Sequence, residues 1–157
     1  MPSIPTAKNM LRRALMEILD KPPTKREAVP LWEYFGSTCA YCSRPLERGD
    51  RSATLDHLVP QARQGSNHLA NLVLACGPCN DERRDQPWEE FLRNRCLTRR
   101  EYDVRRRRIL EWVRQYGGKE LQTSQSLHEY AQLYIDSALG AVDAVVYVLR
   151  DIRDGVD

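Results

Sequence analysis

The chain has 157 residues, 41% hydrophobic and 29% charged, which suits one folded domain, or a small core with helical additions, and excludes a disordered chain. No uninterrupted apolar run approaches the roughly 20 residues that span a bilayer, and the stretch beginning Met1-Pro2-Ser3 lacks a basic segment leading into an apolar one, so a cytoplasmic protein without a membrane partner is expected. The net charge of +2 is uneven: 21 Lys and Arg stand against 15 Asp and Glu as far as Gly118, then 3 against 7, so a basic body suited to phosphate-rich partners precedes an acidic tail that is not.

In chain order, Thr6 is expected to cap a first helix through Asp20, with Ile4, Ala7, Met10, Leu11, Ala14, Leu15, Ile18 and Leu19 lining one face. Pro22-Pro23 ends it. Val29 to Phe35 reads as a short helical turn stopped by Gly36, with Trp32 and Tyr34 taken as core. Ala53 to His57 is a short strand, Gln61 to Asn67 a polar loop bending at Gly65, and Leu72 to Ala75 a second strand. A helix is expected to begin at Asn80. After Pro87, Trp88–Arg95 and Thr98–Tyr116 read as two helices, the second opened by Thr98 with Glu101 three residues on, a capping-box pattern. Leu127 to Ile152 repeats at helical spacing across Gly140, as one long helix or two.

Five cysteines are present, four of them in the pairs Cys39-Ala-Tyr-Cys42 and Cys76-Gly-Pro-Cys79. Two such turns can close four thiolates around one tetrahedral Zn²⁺, whereas a redox CxxC would need a βαβ setting that is absent. With all four positions filled by sulfur, the zinc would be structural. Cys96 is read as a helix residue outside that set.

Between and just after the cysteine turns lie Asp56-His57, with Pro60 following, then Gly65, Asn71-Leu72 and Asn80. The order C-x2-C, D-H-x-x-P, glycine, N-L, C-x2-C-N resembles the zinc-bearing subgroup of the HNH endonucleases, or ββα-metal nucleases, over residues 37 to 86. The resemblance implies an α+β fold: a small ββα-metal core with a structural zinc held by four cysteines, embedded in and extended by several α-helices. The expected organisation is a helical segment 1–36, the nuclease core 37–86 and a helical extension 87–157.

It also implies a metal-dependent endonuclease that cuts DNA, expected to be double-stranded, in a phage, restriction or defence setting. His57 would be the general base, imidazole being the side chain that exchanges protons near neutrality. Asp56 and Asn80 would hold one catalytic ion; their hard oxygen donors favour Mg²⁺ or Mn²⁺. Asn80 stands where many relatives have histidine. Asn71, whose amide both donates and accepts, would pin the loop behind His57. His68, Arg83, Arg84, Arg105 and Arg106 are candidate nucleic-acid contacts, since guanidinium forks suit phosphate. Two other readings stay open: a non-catalytic zinc module that binds nucleic acid or acts as a scaffold, and a nuclease subunit active only with a partner. A homodimer or partner contact would use the C-terminal helix.

Overall fold

The computed structural model describes residues 3–50, 52–117 and 125–155, without the side chains of 125–127. Its elements are α1 (Ile4–Leu19), α2 (Val29–Tyr34), β1 (Ala53–His57), β2 (Leu72–Cys76), α3 (Gly77–Arg83), α4 (Trp88–Arg95), α5 (Arg99–Gln115) and α6 (Gln125–Asp154), with 3-10 turns at Gln61–Arg63 and Leu69–Asn71. They form two compact units, one made of α1 and α6 and the other running from Pro22 through α5.

In the second unit β1 and β2 pair antiparallel, with Asp56 opposite Val73 and His57 opposite Leu72. Every residue of β2 is buried. Two five-residue strands cannot enclose a core unaided, and the helices supply the rest: Leu31 and Phe35 from the α2 region, Leu92 from α4, and Ile109 and Trp112 from α5 are fully buried beside Leu72, Val73 and Leu74. The inward residues of the α2 region are thus Leu31 and Phe35, while Trp32 and Tyr34 are half-buried at the margin. Tyr34 and Phe35 pack against Trp112 with ring centroids 5.1 and 5.8 Å away, and Trp112 Nε1 donates to the Leu69 carbonyl at 2.8 Å, tying α5 to the turn before β2.

Local signals set most boundaries. Thr98 and Glu101 form the expected capping box, and Gly36, at φ +53°, ends the α2 turn. Gly65 is indispensable in its bend, because a Cβ there would meet the Val59 carbonyl oxygen at 1.7 Å. Two starts differ from expectation. Ser3, not Thr6, caps α1, its side chain accepting from Thr6 N; Pro5 then sits in the first turn, where its missing N–H costs nothing. α3 begins at Gly77, so Cys79 and Asn80 both lie inside it.

In the other unit α6 is a single helix through Gly140. Lys8 pairs with Asp143 at 2.6 Å and Arg12 with Asp136 at 2.9 Å, so the two helices run antiparallel. Both pairs are partly exposed, so solvent screening keeps their contribution small. Ala131, Ile135 and Leu139 are buried at four-residue spacing. By length and composition alone, the helix His128–Asp154 contains an 18-residue window apolar enough to cross a membrane, with mean hydropathy 1.3; counting uninterrupted runs misses this because Asp136 and Asp143 break the stretch.

Candidate active site and metal knuckle

The first cysteine turn is a tight knuckle. Cys39 N donates to Arg44 O, Ser43 N to Cys39 O, and Ala40 N to Leu74 O, which docks the turn on β2. Cys76 ends β2 and Cys79 lies in the first turn of α3. The four Sγ atoms lie within 4.8 Å of one another, and Cys42 and Cys76 are 3.7 Å apart. Tetrahedral Zn–S bonds of about 2.3 Å require sulfurs about 3.8 Å apart, so this donor set fits a structural Zn²⁺. The hydrogen bond with Cys79 pushes Cys39 down to about 5 and Cys79 upward, while burial raises Cys76. Arg95 Nη2 lies 3.5 Å from Cys79 Sγ, a cation beside the thiolate cluster. Cys96 is outside the cluster, capping α4 with its sulfur 3.5 Å from Arg105 Nη1.

Alternation along β1 sends Asp56 and His57 to opposite faces. His57 is half-buried, with Nε2 2.8 Å from Asn67 Oδ1, which also accepts from Gln61 Nε2 at 3.3 Å. An amide oxygen only accepts, so with this amide orientation Nε2 carries the proton and Nδ1 keeps the lone pair. Asn71 is fully buried. Its Oδ1 accepts from Val59 N at 2.8 Å, and its Nδ2 donates to Val59 O at 3.0 Å and Ser66 O at 2.8 Å, bracing both ends of the loop that carries Asn67.

Asp56 faces inward, 4% exposed. Arg83 grips it with a bidentate fork, Nε to Oδ2 at 2.6 Å and Nη2 to Oδ1 at 2.7 Å, and the Tyr41 hydroxyl donates to Oδ2 at 2.7 Å. Arg83 also donates to the His57 carbonyl and to Gln86 O. α3 stops there because Arg84 takes φ +51°. Burial and the neighbouring carboxylate push the Tyr41 phenol well up. For Arg83, burial acts downward, but Asp56 and Tyr41 outweigh it and the net shift is upward. Removing one partner of such a buried pair typically costs about 3–5 kcal/mol.

Asn80 is half-buried on α3. Asp56 and Asn80 offer the oxygen donors that a hard cation takes, but in this conformation Asp56 does not fit one: a guanidinium lies across both of its oxygens.

The candidate nucleic-acid contacts divide. Arg83, expected at the DNA backbone, is instead 2% exposed and paired with Asp56. Arg105 turns inward, donating to Tyr41 O at 2.8 Å, while Arg106 pairs with Glu89 at 3.0 Å. Arg108 donates to Tyr34 O at 2.7 Å and stacks over Phe35. Arg105 and Arg106, expected at nucleic acid, are thus engaged within the protein: one helical turn of arginines points all round α5, and Arg105 and Arg108 satisfy main-chain carbonyls while Arg106 is held by Glu89. His68 caps the 3-10 turn before β2, Nδ1 accepting from Ala70 N at 3.3 Å. Arg84 and Arg107 are exposed. Sequence reasoning missed Asn67, Tyr41 and the inward role of Arg83. The spacing Gly65-Ser-Asn67 after Asp56-His57 was the signal available for Asn67; nothing local marked Tyr41.

Residues 39–86 match the family model described as HNH endonuclease. The chain is 25% identical over 144 residues to the CRISPR-associated endonuclease Cas9 of Corynebacterium diphtheriae, covering 84% of this chain and 13% of that protein. It is 40% identical over 57 residues to the protein of the same name from Actinomyces naeslundii, covering 36% of this chain and 5% of that protein. The matched segments therefore span a small part of either relative. At residues 39–86, this chain carries a domain of the HNH endonuclease family.

Proposed function

We propose that the chain is a cytoplasmic, metal-dependent endonuclease that hydrolyses DNA phosphodiester bonds, leaving 5′-phosphate and 3′-hydroxyl ends. The observation that carries this reading is His57 at the end of β1, its Nε2 held 2.8 Å from Asn67 on a loop braced by Asn71. With Nε2 committed as donor, Nδ1 is the atom that takes the proton from an attacking water. Asn71 acts through the loop, fixing the direction of the imidazole. A divalent ion, Mg²⁺ or Mn²⁺, would supply charge neutralisation at the phosphate and help for the departing oxygen. The resemblance offers Asp56 and Asn80 as its ligands, but in this conformation Arg83 covers both Asp56 oxygens. The zinc knuckle holds the frame, and the exposed Arg84 and Arg107 are the proposed phosphate contacts.

The names of the two relatives favour a defence setting over phage DNA processing or restriction. That this chain matches only 13% and 5% of their lengths favours, as a second reading, a nuclease unit that needs further protein parts to cut.

The test is nicking of supercoiled plasmid in Mg²⁺ or Mn²⁺. His57→Ala should lower the rate at least about 100-fold, as loss of a general base does, with zinc content and unfolding midpoint unchanged. Undiminished cutting by that variant sinks the assignment of His57. A wild type inert on every DNA form in both ions sinks the stand-alone reading and leaves the partner-dependent one.

A further inference from the structure

Four thiolates carry twice the charge that one Zn²⁺ cancels, so a loaded knuckle is a double anion, and Cys39, Cys76 and Cys79 of that set are buried. Charge held away from water needs a partner. Arg95 is placed to be one. It ends α4, beyond the residues 39–86 that match the family model, and its guanidinium divides between two groups on α3: Nη2 lies 3.5 Å from Cys79 Sγ and Nη1 lies 3.1 Å from Glu82 Oε2. The guanidinium also sits over the ring of buried Phe91, 5.7 Å from its centroid. One cation is thus fixed against the sulfur cluster by contacts with Glu82 and Phe91, neither of which is a zinc ligand.

We propose that Arg95 is an outer partner of the zinc site, whose charge and N–H on Cys79 raise the affinity of the knuckle for zinc and tie α4 to it. The inference rests on zinc at the four cysteines. Sulfur holds zinc as thiolate, so the anion that Arg95 faces belongs to the loaded site, and a cation fixed there favours the loaded site over the empty one. Groups that touch metal ligands from outside typically change metal affinity by about 10–100-fold when removed. The planar fork suits this place: it holds Cys79 with one nitrogen and Glu82 with the other, whereas an ammonium is a single point of charge. Helix α4, outside the matched segment, thereby contributes to the site that holds the core together.

The probe is Zn²⁺ alone, its affinity for the full chain read by competition with a chromophoric chelator. Arg95→Met, which keeps the apolar stem, should bind zinc at least about tenfold more weakly than wild type. Arg95→Lys, which keeps the charge without the fork, should fall between them, and it carries the test if the methionine variant fails to fold. Glu82→Gln removes the surface ion pair but leaves the guanidinium on Cys79, so it should change the affinity by less than about threefold. With Co²⁺ in place of zinc, the sulfur-to-cobalt charge-transfer band should move to longer wavelength in Arg95→Met and stay fixed in Glu82→Gln, because only the first change strips a donor from a ligand sulfur. A wild-type chain that binds no zinc overturns the zinc site and the inference together. One zinc per chain in the wild type, with unchanged affinity in folded Arg95 variants, leaves the site standing and overturns the role of Arg95. Equal weakening in Arg95→Met and Glu82→Gln with the cobalt band unmoved also overturns it, since Arg95 would then act only by joining α4 to α3.

Discussion

The unit built on β1 and β2 and the pair α1–α6 both rely on amphipathic helices, yet they bury apolar surface very differently. In the first, Leu31, Phe35, Leu74, Leu92, Ile109 and Trp112 are fully enclosed. In the second, Ala131, Ile135 and Leu139 are the buried residues described on α6, and α1 contributes none. Met10, Ile18, Leu133 and Tyr147 are each more than 60% exposed. The difference is one of closure. A sheet face, a metal knuckle and three helices converge on β2 from several sides, whereas two helices alone can cover only one stripe of each other. Helical periodicity therefore announces that a face exists and leaves open what covers it.

Removing the knuckle should break this contrast most completely. Structural zinc in small thiolate sites contributes about 10–16 kcal/mol of apparent binding energy, far more than two five-residue strands can recover. Cys76→Ser should lose its zinc, and the near-UV circular dichroism of Trp112 and Tyr41 should collapse. A variant without zinc that kept a native near-UV spectrum would show that the helical packing alone encloses the core.

Asn71→Ala comes next. It leaves the Val59 amide and the Val59 and Ser66 carbonyls without their partner, and each orphaned buried group costs about 1–3 kcal/mol, partly relieved by water. A loss of about 3 kcal/mol in urea unfolding is expected, together with reduced cutting because the Asn67 loop loosens. Asn71→Asp should not rescue it, since a carboxylate cannot donate to the two carbonyls. Equal stability of Asn71→Asp and wild type would mean the loop is held by something else.

Much of this frame was legible in the residues, and the reason is locality. Thr98 and Glu101 sit three apart and cap α5 by themselves; Gly65 is required by its immediate neighbours; the paired cysteines carry their own spacing. Arg83 shows where that reading stops. In Asp81-Glu82-Arg83-Arg84-Asp85 an arginine surrounded by acids looks solvated, but its partner is Asp56, 27 residues away, and only the pairing of β1 with β2 and the turn at Arg84 bring them together. Arg105, read as a phosphate contact, turns inward for the same reason, and Arg108 beside it does likewise. Their partners are main-chain carbonyls of Tyr41 and Tyr34, 64 and 74 residues distant, and a carbonyl leaves no trace in a sequence. At the start of α1 the choice between Ser3 and Thr6 was a contest between two good caps, decided by Pro5 fitting the first turn.

A smaller effect is expected at the joint between α5 and the site. Trp112→Phe retains an aromatic ring among Tyr34, Phe35 and Tyr116 but removes the Nε1 donor to Leu69 O. The cost should be about 2 kcal/mol, from one buried acceptor left unpaired and a slightly smaller ring. Because Leu69 opens the turn that leads into Asn71 and β2, cutting should fall more than stability alone explains; a drop in stability with full activity would separate α5 from the site.

The smallest effect belongs to the exposed stripe and decides what kind of surface it is. Leu149 is 59% exposed on α6, so Leu149→Asp in the isolated chain should shift unfolding by no more than about 0.5 kcal/mol, the usual range for an open surface position. Light scattering on the same two samples reads the other half of the question. If Leu149→Asp changes neither mass nor stability, the stripe is uncovered in the isolated chain, and the contrast between the closed core and the open helix pair is a property of the fold itself. A fall of several kcal/mol accompanied by halving of the mass would instead mean that a second copy covers the stripe, because only an apolar contact made between molecules would be lost with both readings at once.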